Sequence, residues 1–205
     1  MKRSLLAALT LLAAAPFAAS AADGVSYTYV EAGYAATAAD NSNLDSDGWA
    51  INGSAAIAPN FHIFGGYSGQ TTDDFNGPLG SRIDGIDVDQ WNVGVGYNHE
   101  LNSQLDLLTR VGYQKAETDS FNFGGVNVGG TDADGWNVEA GVRGAFSPNF
   151  EGYALAGYED YEGVDGEFYG RLGAQVKFNQ TWGVNGEVKF VDGYTSYFIG
   201  PRMSF

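Results

Sequence analysis

The sequence predicts an all-β fold: a transmembrane, up-and-down antiparallel β-barrel of ten strands. Three observations predict it. Apolar side chains alternate with period two through nearly the whole chain after residue 24, and stripes at helical spacing are scarce. The alternating segments run about ten residues between large aromatics, which at about 3.3 Å per residue and a tilt near 40° rise roughly 25 Å, the height of an outer-membrane barrel's apolar band. Short connectors alternate with long ones, the pattern of barrels with periplasmic turns and extracellular loops. Eight strands is the alternative if the last two hairpins do not pair in this way.

Residues 1–22 read as a signal peptide and residues 23–205 as the barrel domain. Lys2 and Arg3 form a basic start, Leu5 to Ala15 an apolar stretch, and Pro16 breaks it. Ala19-Ser20-Ala21-Ala22 then offers small residues for signal peptidase, with cleavage after Ala21 or Ala22. The apolar stretch is too short for an ordinary spanning helix. Removing Lys2 and Arg3 takes the net charge from −15 to −17.

The ten predicted strands cover 25–36, 48–57, 61–71, 88–100, 105–117, 134–146, 150–160, 167–178, 182–191 and 195–205. Trp91, Val93, Val95 and Tyr97 share one face opposite Asn92, Gly94, Gly96 and Asn98. Trp136, Val138, Ala140 and Val142 likewise oppose Asn137, Glu139, Gly141 and Arg143. A soluble sandwich also alternates, but its outer face would be rich in charge. Here one face carries aliphatics bounded by aromatics, and the other carries glycines and a few charges of mixed sign, so the apolar face points to lipid. Short connectors fall at Ala58-Pro59-Asn60, Asn102-Ser103-Gln104, Ser147-Pro148-Asn149 and Asn179-Gln180-Thr181. The other joints, near 37–47, 72–87, 118–133, 161–166 and 192–194 and mostly longer, face outward, and both termini lie in the periplasm.

Tyr34, Trp49, Tyr67, Trp91, Tyr113, Trp136, Tyr158, Phe168, Phe190 and Tyr197 form the expected aromatic girdle at the outer interface. At the C-terminus, alternate Tyr197, Ile199, Met203 and terminal Phe205 resemble the signal that engages the barrel-assembly machinery. Pro201 interrupts it, and a bulge is expected there because proline removes a ladder hydrogen bond.

Inward parity gathers Glu31, Asp106, Arg110, Glu139, Arg143, Glu151, Arg171, Lys177, Glu187, Lys189 and Arg202 into a lumen charge network, with Glu100 and Glu159 also inward. Ten strands enclose a narrow interior, where charges should pair and plug the barrel. The other reading is a path for small solutes or ions, favoured by Gly94, Gly96, Gly112, Gly141 and Gly173, which equally suit strand curvature.

Composition narrows function. Asp plus Glu number 25 against 10 Lys plus Arg, which argues against nucleic-acid binding. Cysteine is absent, so thiol catalysis and thiolate metal sites are excluded. Charged residues are only 17% and aromatics 14%, while glycine supplies 30 of 205 positions, a profile suited to a surface solvated by lipid. Acids concentrate in or beside the outward joints, including Asp40, Asp45, Asp47, Asp73, Asp74, Asp84, Asp87, Asp89, Glu117, Asp119, Asp132, Asp134, Glu162, Asp165 and Glu167. They form a solvated rim, or a weak Ca²⁺ or Mg²⁺ surface, without an EF-hand pattern. The two histidines, His62 and His99, fall near the periplasmic turns, away from these carboxylates. No catalytic residue, specific metal site or cofactor is therefore expected.

Three segments carry a family resemblance: Ser26 to Tyr34 (SYTYVEAGY), Pro59 to Tyr67 (PNFHIFGGY) and Glu151 to Asp160 (EGYALAGYED). They resemble small OmpX- and OmpA-like outer-membrane barrels, most of all xanthomonad outer-membrane and vesicle proteins named as activators of a rice immune receptor. The resemblance implies an integral protein of the outer membrane, also shed in vesicles. Its implied roles are adhesion, biofilm, motility and virulence, or a secreted quorum-type signal or immune elicitor. Its implied partners are outer-membrane lipid, lipopolysaccharide, the barrel-assembly machinery, and host or cell surfaces. No catalytic residue comes with it. The expected activity is non-catalytic, exercised by a monomer through acidic loops, with a narrow channel as the alternative.

Overall fold

The computed structural model describes residues 22–40, 45–76, 82–83, 85–123 and 126–205. The signal-peptide reading of residues 1–21 and the loop acid Asp84 lie outside them. Fourteen strands follow in order: β1 (Tyr29–Ala39), β2 (Ser46–Ala58), β3 (Phe61–Thr72), β4 (Phe75–Asn76), β5 (Arg82–Ile83), β6 (Asp87–Asn102), β7 (Leu105–Thr118), β8 (Phe121–Phe123), β9 (Val126–Val128), β10 (Thr131–Ser147), β11 (Phe150–Tyr161), β12 (Glu167–Lys177), β13 (Trp182–Val191) and β14 (Tyr194–Ser204).

Ten of them close an antiparallel barrel in the order β1-β14-β13-β12-β11-β10-β7-β6-β3-β2. The remaining four form two ribbons in the long connections, β4 with β5 and β8 with β9. These ribbons fall in joints read as loops, because two- or three-residue strands are too short to show alternation. The ten long segments appear where the alternation places them, with ends shifted by at most four residues. Closure leaves no strand edge unpaired, which a lipid-embedded sheet requires. Among the described residues no helix is long and apolar enough to cross a membrane.

The pleat sends one side chain of each pair outward. Val93, Val111, Leu172 and Val176 are each about half exposed, whereas Glu139, Arg143, Glu151 and Arg202 are buried. This inversion, apolar outside and charged inside, fits a lipid-facing wall. At the loop end, the ten aromatics from Tyr34 to Tyr197 stand one per barrel strand. Neighbours touch around the wall: Trp49–Tyr67 at 5.4 Å, Trp91–Tyr113 at 5.4 Å, Trp136–Tyr158 at 5.7 Å and Tyr158–Phe168 at 5.1 Å between centroids. At the other end Phe61 meets Tyr97 at 5.1 Å and Phe146 meets Phe150 at 6.1 Å.

Three expectations are corrected. The first strand starts at Tyr29 rather than 25. A turn closed by Val25 N–H to Ala22 C=O (3.0 Å), with Gly24 at φ 84°, folds the preceding residues into the barrel mouth. That φ is the left-handed value a type II turn needs, and glycine adopts it without steric cost. Second, no bulge occurs at Pro201: it pairs with Val184, and the β1 register is the same on either side of it. Only the pairing opposite Ala32 and Gly33 drops out, so the missing N–H is absorbed without an extra residue. Bulges lie instead beside the short turns, between Ala56 and Ala58, Glu100 and Asn102, and Ala145 and Ser147. Third, Glu100, although the Cα partner of the buried Asp106, is exposed at the short-turn rim rather than part of the lumen network. At the opposite end β6, β7 and β10 run on past the aromatics, so Asp87 and Asp132, expected in the joints, stand on strand ends beside Asp89, Glu117 and Asp134.

Candidate functional site: the lumen and its two mouths

The lumen is built by cross-strand pairing of inward positions. Glu31 and Arg202 are Cα partners across the β1–β14 seam that closes the barrel. Arg202 donates from Nε to Glu31 Oε2 at 2.6 Å and stacks over Tyr29 at 4.1 Å; Asn52 donates to the other Glu31 oxygen at 3.2 Å. Arg110 and Glu139 are likewise Cα partners between β7 and β10 and form an ion pair.

Glu139 also receives Tyr169 Oη at 2.9 Å and lies 3.2 Å from Arg171 Nε. Arg171 continues to Glu187 at 2.7 Å, and Tyr153 donates to the same carboxylate at 2.5 Å. Lys189 meets Glu159 at 2.5 Å, where Tyr194 donates at 2.7 Å. Near the short turns Arg143 holds Glu151 through Nε at 2.6 Å and Nη2 at 2.5 Å, while Lys177 approaches its second oxygen at 2.8 Å.

These residues therefore come together as linked pairs along the wall. Among the described residues Asp106 makes no ion pair, and it accepts from Tyr27 Oη and Ala22 N, each at 3.0 Å. The network brings opposite charges within hydrogen-bond reach in a low-dielectric interior, which stiffens the wall against deformation.

The lumen is asymmetric along its axis. Toward the long loops it opens as a cavity of about 640 Å³, lined by Thr37, Asn52, Ser68, Gln70, Gln90 and Asn92 above Arg110, Glu139 and Arg171. Toward the short turns the largest fully buried side chains, Tyr27, His62, Asn98, Asp106, Glu151 and Asn185, fill the section, and none of them lines that cavity. Tyr27 is the centre of this seal. Its ring stacks on His62 at 4.7 Å and lies 4.8 Å from the Arg143 guanidinium. Its carbonyl accepts from Ser54 Oγ at 2.8 Å, and the preceding Ser26 carbonyl accepts from Arg143 at 2.9 Å. Tyr27 and His62 escaped the sequence reading because their roles depend on the Gly24 turn and on register.

Four inward glycines stand opposite rings. His62 pairs with Gly96, Phe64 with Gly94, Tyr153 with Gly173 and Tyr169 with Gly157. A Cβ on Gly96 would lie 2.0 Å from His62 Nε2, and one on Gly173 would lie 2.1 Å from the Tyr153 ring. Each glycine is the space its partner's ring occupies, a pairing that protects exposed strand backbone. The signal is legible in principle as an inward aromatic opposite a glycine, but only once register is known.

On the outer rim Asp40, Asp45, Asp47, Asp73, Asp74, Asp87, Asp89, Glu117, Asp119 and Asp132 are exposed. Lys115 lies 2.9 Å from Glu117 and 3.2 Å from Asp132. Among the described residues no three acidic or histidine side chains converge as a metal site. His99 is exposed at the other end, stacked 6.5 Å from Tyr97. On β14, Tyr197 and Ile199 are exposed on the outer face, with Met203 partly so, and Phe205 just past the strand is exposed as well.

Solved barrels share this architecture. The translocator domain of the autotransporter NalP from Neisseria meningitidis matches 100% of this chain and 94% of its own, at 12% identity and a TM-score of 0.53. The β domain of the Bordetella autotransporter BrkA matches 88% and 100%, at 14% identity and 0.54. Ail, the attachment invasion locus protein of Yersinia pestis, matches 87% and 97%, at 17% identity and 0.41. At 12% and 14% identity the likeness to the NalP and BrkA domains concerns fold alone. No curated protein matches the sequence. The family model for the outer membrane protein beta-barrel domain matches residues 4–198. With a closed ten-stranded wall and a family match over nearly all of its length, the chain belongs to the outer membrane protein beta-barrel domain family.

Proposed function

We propose that this protein is a non-conducting, non-catalytic barrel that acts from its outer face, presenting acidic loops in adhesion or biofilm contact. The seal around Tyr27 is the observation that carries this reading. A lumen packed across its section at one end offers no through-path, so the solvent-accessible chemistry lies at the rim and in the 640 Å³ vestibule beneath it. Support for exported, monomeric placement in the outer membrane comes from the signal-peptide pattern of residues 1–22, the aromatic girdle and the C-terminal Tyr197, Ile199, Met203 and Phe205 pattern. Release in vesicles and a part in motility, virulence or signalling rest on the resemblance to the xanthomonad barrels.

The polar vestibule favours one second reading, a narrow channel for small solutes or ions. Planar bilayers separate the two. Purified protein is expected to give no discrete conductance, and reproducible single-channel steps would overturn the sealed lumen. Variants lacking the 73–86 and 119–130 connections are expected to fold and to lose surface attachment; unchanged attachment would overturn the outer-face reading.

A further inference from the structure

Asp106 is fully buried, at 0% exposure. Its companions in the lumen each have a basic side chain close by: Glu31 has Arg202 at 2.6 Å, Glu151 has Arg143 at 2.5 Å and Glu159 has Lys189 at 2.5 Å. Among the described residues Asp106 has none. Arg143 is its Cα partner on β10, but that guanidinium is engaged by Glu151 and by the Ser26 carbonyl. An uncompensated carboxylate in such a place is costly. Asp106 instead faces a main-chain nitrogen, that of Ala22, at 3.0 Å, and Ala22 is itself only 2% exposed.

Ala22 follows Ala19-Ser20-Ala21, the small-x-small pattern at which a leader is cut. We infer that cleavage of the Ala21–Ala22 bond creates the missing cation, the Ala22 α-ammonium, whose ion pair with Asp106 locks the N-terminal segment into the barrel's short-turn mouth. This rests on the reading of residues 1–22 as a cleaved leader.

Hydrolysis by signal peptidase adds one water across the bond. The leader departs with the Ala21 carboxylate, and the Ala22 nitrogen binds a further proton as an ammonium. Neutral N–H donation then becomes a charge-assisted contact, which is shorter and stronger. The geometry also selects between the two cleavage positions. A cut after Ala22 would start the chain at the exposed Asp23, whose N–H donates to Ser103 C=O at 2.8 Å, and would leave Asp106 with Tyr27 alone. The segment is otherwise prepared for locking: the Gly24 turn directs Ala22 inward, Lys177 bonds the Gly24 carbonyl, and Tyr27 shares the same carboxylate. Removal of the leader would thus complete the seal only after export.

The test uses protein exported with its own leader and purified folded from outer membranes. Its intact mass is expected to begin at Ala22. An uncleaved chain would overturn the leader reading itself, whereas a chain beginning at Asp23 would overturn only this inference. An amine-reactive acylating reagent at neutral pH is then followed by mass spectrometry of the N-terminal peptide. The folded α-amine is expected to label roughly tenfold or more slowly than in the urea-unfolded chain, and Asp106→Asn to restore fast labelling. Equal rates in folded and unfolded wild type, or protection retained in Asp106→Asn, would overturn it. If Asp106→Asn does not fold, NMR titration of the wild-type Ala22 methyl decides. An ion pair raises the amine's pKa above the ordinary range of about 7.7–8.0, and burial without a partner lowers it.

Discussion

Replacing Glu151 with glutamine removes one negative charge from the packed end of the lumen while keeping its shape. Glu151 is 1% exposed and receives Arg143 at 2.5 and 2.6 Å and Lys177 at 2.8 Å. After the change two cations face a neutral amide in a space that water does not reach. Removing one partner of such a buried pair costs about 3–5 kcal/mol, because the remaining charge stays desolvated. The same pair in a water-filled lumen would be worth only about 0–1 kcal/mol. Urea unfolding in detergent micelles, followed by tryptophan fluorescence and the heat-dependent gel shift, distinguishes these figures. With a slope of about 2–3 kcal/mol per molar, the midpoint should fall by about 1–2.5 M. Combining Glu151→Gln with Arg143→Met should recover part of the loss, since contacting residues are not additive. A loss below about 1 kcal/mol in a normally folded Glu151→Gln barrel would refute the packed seal and, with it, the non-conducting lumen.

Other substitutions probe the wall and the mouth. Val142→Arg, on the outer face midway between Trp136 and Phe146, should cost about 2–4 kcal/mol, whereas Val164→Arg in the exposed outer turn should stay within about 0.5 kcal/mol by the same unfolding assay. Equal effects would contradict the assignment of the apolar face to lipid. Gly173→Ala drives a methyl into the Tyr153 ring and should destabilise by about 1–3 kcal/mol. Gly170→Ala on the same strand meets no atom within 4 Å and should be neutral or slightly stabilising in unfolding midpoint. Tyr27→Ala removes the centre of the seal, so bilayer recordings should gain conductance steps absent from wild type, with a stability loss of about 3–5 kcal/mol.

Much of the candidate site was legible from parity. Once Val93, Val138 and Leu172 were assigned to lipid, Glu139, Arg143 and Arg171 had to point inward, because successive side chains alternate across a strand. Which carboxylate each base would meet was not legible. Arg143 is the Cα partner of Asp106 yet binds Glu151, and Arg171 reaches Glu139 two strands away. Long side chains choose partners by barrel diameter and by what else fills the section, and neither quantity appears in a linear pattern. Glu100 shows the same limit at a strand end, where it stands exposed at the rim although its Cα partner Asp106 is buried.

Local periodicity was sufficient for the ten transmembrane segments, their lipid-facing side and the split between short turns and long loops, because each depends on residues close in sequence. Closure, register and the state of the lumen depend on contacts between distant residues. Glu31 meets Arg202 only when the first and last strands pair, and Tyr27 meets Asp106 only when the Gly24 turn brings the N-terminal segment to β7. An alternating pattern fits an open pore and a sealed barrel equally well; the Tyr27 seal arises because rings, amides and charged side chains from six different strands and the N-terminal segment meet in one cross-section.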